Sequence, residues 1–297
     1  NNTETVICRF SELTPDKETG SPISVEENNA DIDILVSTYD QLTEAVQHVC
    51  RRIYIEGDLY LTQHEQAVGC MTGHRRPEYY IALPPILRSS DSAYMEQITR
   101  YLSESDHLIK GFLVRNYEEI DYVRKLPASY AVIPDAGLYC FNTESIRFWA
   151  HYGREYTLPY ELNRKEAGEL VRRGEQLGMH AAMIIYGRIP MMITANCIRK
   201  TAGQCIGQKD SVRNMSLRDR YDVTFPVEIN CMHCYNIIYN SVPYSLHLQE
   251  QAVRRIGAAV RRYDFTTETA DECRAVLECR EFPFESYTTG HLKRGVE

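Results

Sequence analysis

Residues 111–134 read GFLVRNYEEIDYVRKLPASYAVIP, and this stretch decides the predicted fold. Its two ends, Gly111–Arg115 and Tyr130–Pro134, are short apolar runs typical of strands buried on both faces of a parallel sheet. Between them, Tyr117–Lys125 carries apolar residues at helical spacing. The stretch therefore predicts a strand–helix–strand unit, in which the crossing helix makes the two strands parallel.

The same alternation continues in both directions along the chain. Further strands are predicted at Ile32–Ser37, Ile53–Glu56, Tyr79–Leu83, Tyr156–Tyr160, Ala181–Tyr186 and Gly257–Tyr263. Further helices are predicted at Asp40–Arg52, Ser92–Tyr101, Thr143–His151, Arg164–Leu177 and Ala270–Arg280. This alternation favours the α/β class and a (β/α)8 TIM-like barrel over an open doubly wound sheet. No Gly-x-Gly-x-x-Gly motif follows the first strand, which argues against a dinucleotide-binding fold.

The connection between predicted strands 7 and 8 is far longer than the others. Neighbouring strands begin about 20 to 30 residues apart, whereas roughly 76 residues separate the starts of the last two. We therefore predict one barrel domain over residues 31–297, with a cysteine-bearing insertion at 187–256. Residues 1–30 are polar and contain two prolines and a glycine, which predicts a lead-in or linker.

Composition and charge exclude several classes of function. The 297 residues are 43% hydrophobic and 25% charged, which is typical of a globular protein. The formal net charge of −8 argues against a surface built mainly to wrap duplex nucleic acid. No apolar run reaches the roughly 18 residues that a membrane-spanning helix needs.

The N-terminus carries neither an apolar signal core nor an initiator Met. This indicates a trimmed chain, or the later part of a longer one. The lack of a signal core and of a short disulfide framework favours a reducing, cytoplasmic location.

Four of the ten cysteines fall within the predicted insertion. Cys197, Cys205, Cys231 and Cys234 follow the spacing C-x7-C, then 25 residues, then C-x2-C. A C-x2-C pair can bring two thiolates to one ion from a tight turn, and a second pair completes a four-sulfur site. On ligand type, a 4Fe–4S cluster and zinc suit these thiolates about equally. Four buried free cysteines are the alternative, and His233, inside the turn, is not expected to be a ligand.

Barrel enzymes collect their reactive groups at the carboxyl ends of the strands. The candidate catalytic residues at these ends are Glu161, Arg188 and Tyr186. The candidate substrate-binding residues are Glu56, Arg115, Asp135 and Asn163, and Arg262-x-Asp264 ends the last strand. Arg115 and Arg188 suit bidentate binding of a carboxylate or phosphate. Helix capping is the alternative for Asp135 and Asn163.

We expect five of these residues to face one shared polar pocket near the cysteines. They are Glu56, Arg115, Glu161, Tyr186 and Arg188.

The cysteine segment resembles that of a known family. Tyr186–Met192 (YGRIPMM), Asn196-Cys197, Gly203-Gln204-Cys205, Cys231-x-x-Cys234-Tyr235-Asn236 and the closing Tyr287–Val296 (YTTGHLKRGV) are similar to the collagenase-like peptidases. These form peptidase family thirty-two of unknown catalytic type (peptidase U thirty-two). The resemblance extends over residues 31–297 and is closest to the second barrel, or a small subunit, of the long members.

This resemblance implies a TIM-like barrel and a 4Fe–4S cluster, or alternatively zinc, on the four cysteines. It also implies either of two activities. One is peptide-bond hydrolysis, and the other is oxygen-independent hydroxylation of RNA or of a quinone precursor. A partner subunit or a preceding barrel is implied as well. A non-catalytic barrel that supports a partner domain remains a third possibility.

Overall fold

The computed structural model describes residues 8–9, 31–104, 108–126, 129–205, 207, 212–279 and 282–293. The predicted lead-in, 1–30, lies outside these residues except for a two-residue strand. Strand β1 (Cys8–Arg9) pairs antiparallel with β15 (Ser286–Tyr287). None of the helices in the described ranges is long and apolar enough to cross a membrane.

Eight parallel strands form a nearly closed barrel, which confirms the predicted fold class. They are β2 (Ile32–Val36), β3 (Arg52–Glu56), β4 (Glu78–Ala82), β5 (Ile109–Val114), β6 (Ala131–Pro134), β7 (Glu155–Thr157), β8 (His180–Gly187) and β14 (Val260–Asp264). The hydrogen-bonded order is β7-β8-β14-β2-β3-β4-β5-β6. Strands β6 and β7 are neighbours, but no ladder joins them in the part of the chain that the structure describes.

Helices pack around the outside of the barrel, except for one short helix in the insertion, Ile198–Thr201. They are α1 (Tyr39–Ala45), α2 (Gly57–Thr62), α3 (His64–Gly73), α4 (Ser92–Glu104), α5 (Tyr117–Lys125), α6 (Thr143–Trp149), α7 (Arg164–Gln176), α8 (Ile198–Thr201), α9 (Glu250–Ile256) and α10 (Ala270–Glu278). Several begin at a capping box, in which side chain and backbone of two residues bond reciprocally. Asn116 starts α5 in this way and Asn163 starts α7.

The last barrel strand begins later than predicted. We expected it to start at Gly257, but Gly257 ends α9 with a φ of +77°, and β14 starts at Val260. A left-handed residue of this kind terminates a helix, and glycine adopts it without a steric penalty. The missed helix α9 therefore accounts for the displaced strand boundary.

A small antiparallel sheet fills most of the insertion between β8 and β14. Its strands are β9 (Pro190–Thr194), β10 (Val212–Arg218), β11 (Thr224–Asn230) and β12 (Tyr235–Tyr239), in the order β10-β11-β12-β9. A further short strand, β13 (Tyr244–Ser245), returns the chain to the barrel by pairing with β8. We call the four-stranded sheet the insertion sheet.

The amino-terminal end of the barrel is closed by ion pairs. The Arg51 guanidinium donates to the Asp33 carboxylate over 2.9 and 2.8 Å. The Arg52 guanidinium donates to Glu155 over 3.0 and 3.1 Å and lies 4.1 Å from the Tyr80 ring centroid. Asp33 and Arg52 are both buried. Because buried charges are tolerated only when paired, this cluster forms a fixed plug at the amino-terminal end of the barrel interior.

Side chains on the inner face of β3 connect this plug with the opposite end of the barrel. Residues two apart on a strand share one face, so Arg52, Tyr54 and Glu56 all point inward. Tyr54 packs with other buried side chains in an interior cluster. Glu56 stands at the carboxyl end of the strand, where the candidate site begins.

Candidate functional site at the barrel mouth

A cavity of about 780 Å³ lies between the carboxyl ends of the barrel strands and the insertion sheet. From the barrel it is lined by Glu56, Arg115, Asp135, Arg262 and Asp264. From the insertion sheet it is lined by Met192, Ile193, Glu228, Tyr235 and Tyr239. The insertion therefore covers the mouth at which barrel enzymes place their chemistry.

An alternating chain of acids and arginines crosses the floor of this cavity. The Arg115 Nη atoms donate to Glu56 over 2.9 and 2.7 Å, and Arg115 Nε donates to Asp135 over 3.0 Å. The Arg262 Nη2 atom donates to the other oxygen of Asp135 over 2.6 Å and, over 2.9 Å, to Asp264. Bidentate pairs of this type fix both position and orientation. The five side chains therefore form one rigid unit, which we call the ion-pair chain.

Asp135 occupies the centre of the ion-pair chain. Burial raises the pKa of this carboxyl, but Arg262 and Arg115 act in the opposite direction and hold it below its usual range. One Asp135 oxygen also accepts a hydrogen bond from the Ala136 backbone N–H at 2.8 Å. Asp135 is therefore an ionised link between two guanidinium groups.

Glu228 faces the cavity from the insertion sheet and differs from these paired acids. It lies on β11, between the buried Val227 and Ile229, and accepts a 3.0 Å hydrogen bond from the Tyr239 hydroxyl. Burial, reinforced by the nearby charge of Glu56, raises the pKa of Glu228 to about 7. Glu228 is therefore poised to exchange a proton near neutral pH.

The structure brings most of the predicted site residues into this cavity. Its lining includes Glu56, Arg115, Glu161 and Arg188, four of the five residues expected to share a pocket, and also Asp135. The catalytic and binding roles of all these residues stay predictions.

Two predicted site residues lie elsewhere, and their expected placement is corrected. Tyr186 is buried beside the cavity and donates a 3.0 Å hydrogen bond to Glu268, which also binds Arg188 Nε at 3.2 Å. The Asn163 side chain accepts from two backbone N–H groups at the start of α7, so it is a helix cap, the alternative noted above. Strand-end position alone does not distinguish a cap from a cavity residue.

Glu228 and Tyr239 were missed by the sequence analysis. A signal was available, because Val227 and Ile229 are buried on one face of β11 and the residue between them faces the other way. The alternation occupies only a few residues of a long connection, and it becomes visible only once the insertion is recognised as a sheet.

His233 fastens the insertion sheet to the barrel. Its ring lies between two carboxylates, with Nε2 at 3.2 Å from Asp58 and Nδ1 at 3.3 Å from Asp91. Burial lowers the pKa of this imidazole, but the two carboxylates outweigh it and raise the pKa above its usual value. The side chain is 1% exposed. His233 is therefore a buried structural contact between the cysteine-bearing turn and α2.

All four predicted ligand cysteines lie towards one end of the insertion sheet. Cys231 and Cys234 are in the turn that joins β11 to β12, and Cys197 directly precedes α8. Arg199 connects these segments, with Nη1 3.6 Å from the Cys231 sulfur and Nη2 donating to the backbone oxygen of the residue before Cys205. The topology thus gathers the three segments that carry the four cysteines.

The side chains do not complete a metal site as they stand. Within the described ranges, no three His, Cys, Asp or Glu side chains are placed to hold one metal ion. We therefore derive no chemical step from a four-sulfur cluster or a zinc ion. Ligation by Cys197, Cys205, Cys231 and Cys234 stays a prediction.

No known protein family matches the chain. No curated protein matches it either. Among solved structures, it is similar to the U32 peptidase Mk0906 at 11% identity and a TM-score of 0.44, over 88% of this chain and 100% of that one. The Bacillus cereus spore cortex-lytic enzyme SleL gives 8% identity and a TM-score of 0.44, over 84% and 74% of the two chains.

A dipeptide epimerase from Methylococcus capsulatus gives 10% identity and a TM-score of 0.34 over 79% of this chain. The alignment spans only 55% of that epimerase. Likenesses of this strength assign neither family nor activity. Membership of the collagenase-like peptidases therefore stays a prediction from the sequence.

Proposed function

We propose that the protein is an enzyme that carries out acid–base chemistry on a polar ligand held in the barrel-mouth cavity. The observation that supports this most directly is the position of Glu228, a carboxyl with a pKa of about 7 that faces the ion-pair chain across the cavity. A group with a pKa near neutral pH is present in both its protonated and its deprotonated form, so it can serve as a general acid or as a general base.

The ion-pair chain supplies the fixed part of this proposed site. Glu56, Asp135 and Asp264 hold the two guanidinium groups of Arg115 and Arg262, so the groups at the cavity floor need no reorganisation when a ligand arrives. Glu228 belongs to the roof and is held by Tyr239 alone among the hydrogen bonds described. The proposal thus combines a rigid floor with one titrating group above it.

Hydrolysis is one form that this acid–base chemistry can take. The deprotonated form of Glu228 can accept a proton from water, and its protonated form can donate one to a leaving group. This agrees with the peptidase activity that the sequence resemblance implies. The identity of the bond attacked is part of the proposal that the experiments below test.

Replacement of Glu228 by Gln tests the titration directly. The folded protein keeps this proton between about pH 4.5 and 7, where the unfolded chain has lost it. The contribution of Glu228 to stability is therefore full below about pH 4.5 and is lost as the pH rises through about 7. We expect E228Q to be more stable than the wild type at pH 8 by about 1 to 2 kcal/mol, a figure discounted for the open cavity, and equal to it at pH 4.

Urea unfolding of both proteins across this pH range measures the effect. The matched control is Glu96→Gln on the exposed surface of α4, which should leave the pH dependence unchanged. Parallel stability curves for E228Q and the wild type would contradict the assignment.

The proposed activity is tested by substrate profiling. The wild type, E228Q and E96Q are incubated with a small-molecule and peptide extract, and the extract is compared by mass spectrometry. We expect compounds that the wild type and E96Q consume and E228Q does not, with a rate that changes near pH 7. Equal consumption by all three proteins, or by none, would overturn the proposal.

A second candidate function is the iron–sulfur-dependent hydroxylation that the resemblance implies. The observation in its favour is that the topology gathers the three segments that carry the four cysteines at one end of the insertion sheet. Cysteine binds iron or zinc as the deprotonated thiolate, and the bound cation favours that form.

Metal analysis of protein prepared without oxygen tests this candidate. We expect the wild type to carry iron or zinc in near-stoichiometric amount, and the Cys231→Ser/Cys234→Ser double variant to lose most of it. Cys50→Ser/Cys140→Ser, at two buried cysteines outside the insertion, is the matched control. Wild-type protein without either metal would exclude the cluster.

A further inference from the structure

Two aromatic rings stand exposed at the rim of the barrel-mouth cavity. Tyr139 is 55% exposed and Phe141 is 43% exposed, and their rings stack with centroids 5.6 Å apart and planes inclined by 8°. Tyr139 lines the cavity, whereas Phe141 lines the groove that adjoins it. Phe141 therefore stacks beside Tyr139 in an offset arrangement, and more than half of the Tyr139 side chain stays exposed.

The backbone of Tyr139 adopts a conformation that its residue type disfavours. Its φ is +52°, in the left-handed region, where glycine or asparagine is the usual residue. The turn is fixed by hydrogen bonds from Tyr139 N–H to the Ala136 oxygen at 3.1 Å and from Phe141 N–H to the Tyr139 oxygen at 2.8 Å. Because the ring is exposed, packing does not compensate for this strain, and strained residues of this kind cluster at ligand sites.

The turn that carries the ring pair grows out of the ion-pair chain. Asp135 holds the first N–H of the turn, and its carboxylate is itself fixed by Arg115 and Arg262. Between the two rings, Cys140 is fully buried and anchors the segment in the core. The ring pair is therefore held in a fixed relation to the floor of the cavity.

The charges around the cavity indicate what such a ring would face. The lining contains six carboxyl groups against three guanidinium groups, and the carboxyl groups belong to Glu56, Asp58, Asp135, Glu161, Glu228 and Asp264. All three guanidinium groups already bind acids of this chain. The carboxyl groups outnumber the guanidinium groups two to one, so the lining favours a cationic or hydrogen-bond-donating ligand.

We propose that Tyr139 is a stacking subsite for a ligand whose planar ring carries a positive charge or several N–H donors. The ring of the ligand lies on the free face of Tyr139, and its donors point to the carboxylates of the cavity. This inference rests on the proposed function only for the position of the site, and it adds the class of ligand and the residue that selects it. Stacking on an aromatic side chain tolerates different substituents on the ligand but requires a planar ring.

Binding of three small probes to the full chain tests the inference. Benzamidine is a planar cation, cyclohexanecarboxamidine keeps the amidinium on a saturated ring, and benzoate is a planar anion. Calorimetric titration should show benzamidine binding about tenfold more tightly than cyclohexanecarboxamidine, since one stacked ring is worth about that factor. Benzoate should bind more weakly than benzamidine. Equal affinities for the two amidines would overturn the stacking, and tighter binding of benzoate would overturn the charge.

Variants at the rim identify the residue responsible. Tyr139→Ala should weaken benzamidine binding about tenfold and leave cyclohexanecarboxamidine unchanged. Tyr221→Ala is the matched control, because Tyr221 is 70% exposed on the insertion and lines neither cavity. An equal loss for both amidines in Tyr139→Ala would contradict a stacking role.

Thermal unfolding separates a ligand subsite from a structural role. Tyr139→Gly removes the ring and relieves the left-handed strain, so its unfolding midpoint should equal or exceed that of the wild type. A clearly lower midpoint would assign Tyr139 to the fold and overturn the inference. These titrations need no turnover, so they can fail while the Glu228 experiments succeed, and the reverse is equally distinguishable.

Discussion

Replacing Arg262 with Met is expected to lower the free energy of unfolding by about 3 to 5 kcal/mol. The guanidinium of Arg262 is fully buried and binds Asp135, Asp264 and the Thr157 hydroxyl. Met fills a similar volume but leaves two neighbouring carboxylates in the barrel interior without their shared cation. The cost of an uncompensated buried charge is far larger than that of the lost contacts alone.

Denaturant unfolding at pH 7 measures this effect. Arg254→Met is the matched control, because Arg254 is exposed on α9 and, among the described residues, pairs with Glu250 one turn earlier. Such a pair is worth less than about 0.5 kcal/mol. A loss of stability in Arg262→Met as small as in the control would show that the ion-pair chain is not a buried, interdependent unit.

Gly111→Ala is expected to destabilise the protein by about 3 kcal/mol or more. A Cβ at this position on β5 would overlap the Ala131 carbonyl oxygen on the next strand and the ring of Tyr80. One of these neighbours is backbone in a hydrogen-bonded ladder, so the sheet cannot yield without losing pairing. Gly137→Ala is the control, since nothing lies within 4 Å of a Cβ there and its effect should be near zero. Similar melting temperatures for the two variants would contradict this account.

The barrel could be predicted because its strands are buried on both faces. Each strand then reads as a continuous apolar run, as in Phe112–Val114, and the crossover helix between two runs follows from its 3.6-residue period. The short helices α2 and α3 were missed because they follow Glu56 without a break and show no strong amphipathic pattern. Local patterns identify elements whose burial is uniform, and they fail where burial changes within a few residues.

The strands of the insertion sheet could not be predicted from local sequence patterns, for a different reason. Every residue of β9 except Thr194 is exposed, and the residues of β10 whose exposure is described are exposed as well. Without a buried face the sequence carries no alternation, so these strands are specified by pairing with β11 and β12 rather than by their own composition.

For the site, strand-end reasoning located Glu56, Arg115 and Asp135, because the position follows from the barrel itself. It could not place Glu228, because the alternation around Glu228 shows which way the side chain faces on β11 but not that the insertion sheet covers the barrel mouth. The same limit applies to Tyr139, whose left-handed backbone depends on the turn that Asp135 begins. Residues of the barrel could be assigned from the sequence, and residues that depend on the roof or on backbone conformation required the fold.

The plug at the amino-terminal end of the barrel limits where a ligand can reach the cavity. The paired charges of Arg51, Arg52, Asp33 and Glu155 fill one end, and Tyr54 and Tyr80 fill the interior above them. In the part of the chain that the structure describes, this end therefore offers a ligand no passage, and the cavity is reached from the side of the insertion sheet. Under the proposed acid–base function, a product would have to leave by the side from which its substrate entered, and the rate of this exchange would set an upper limit on turnover.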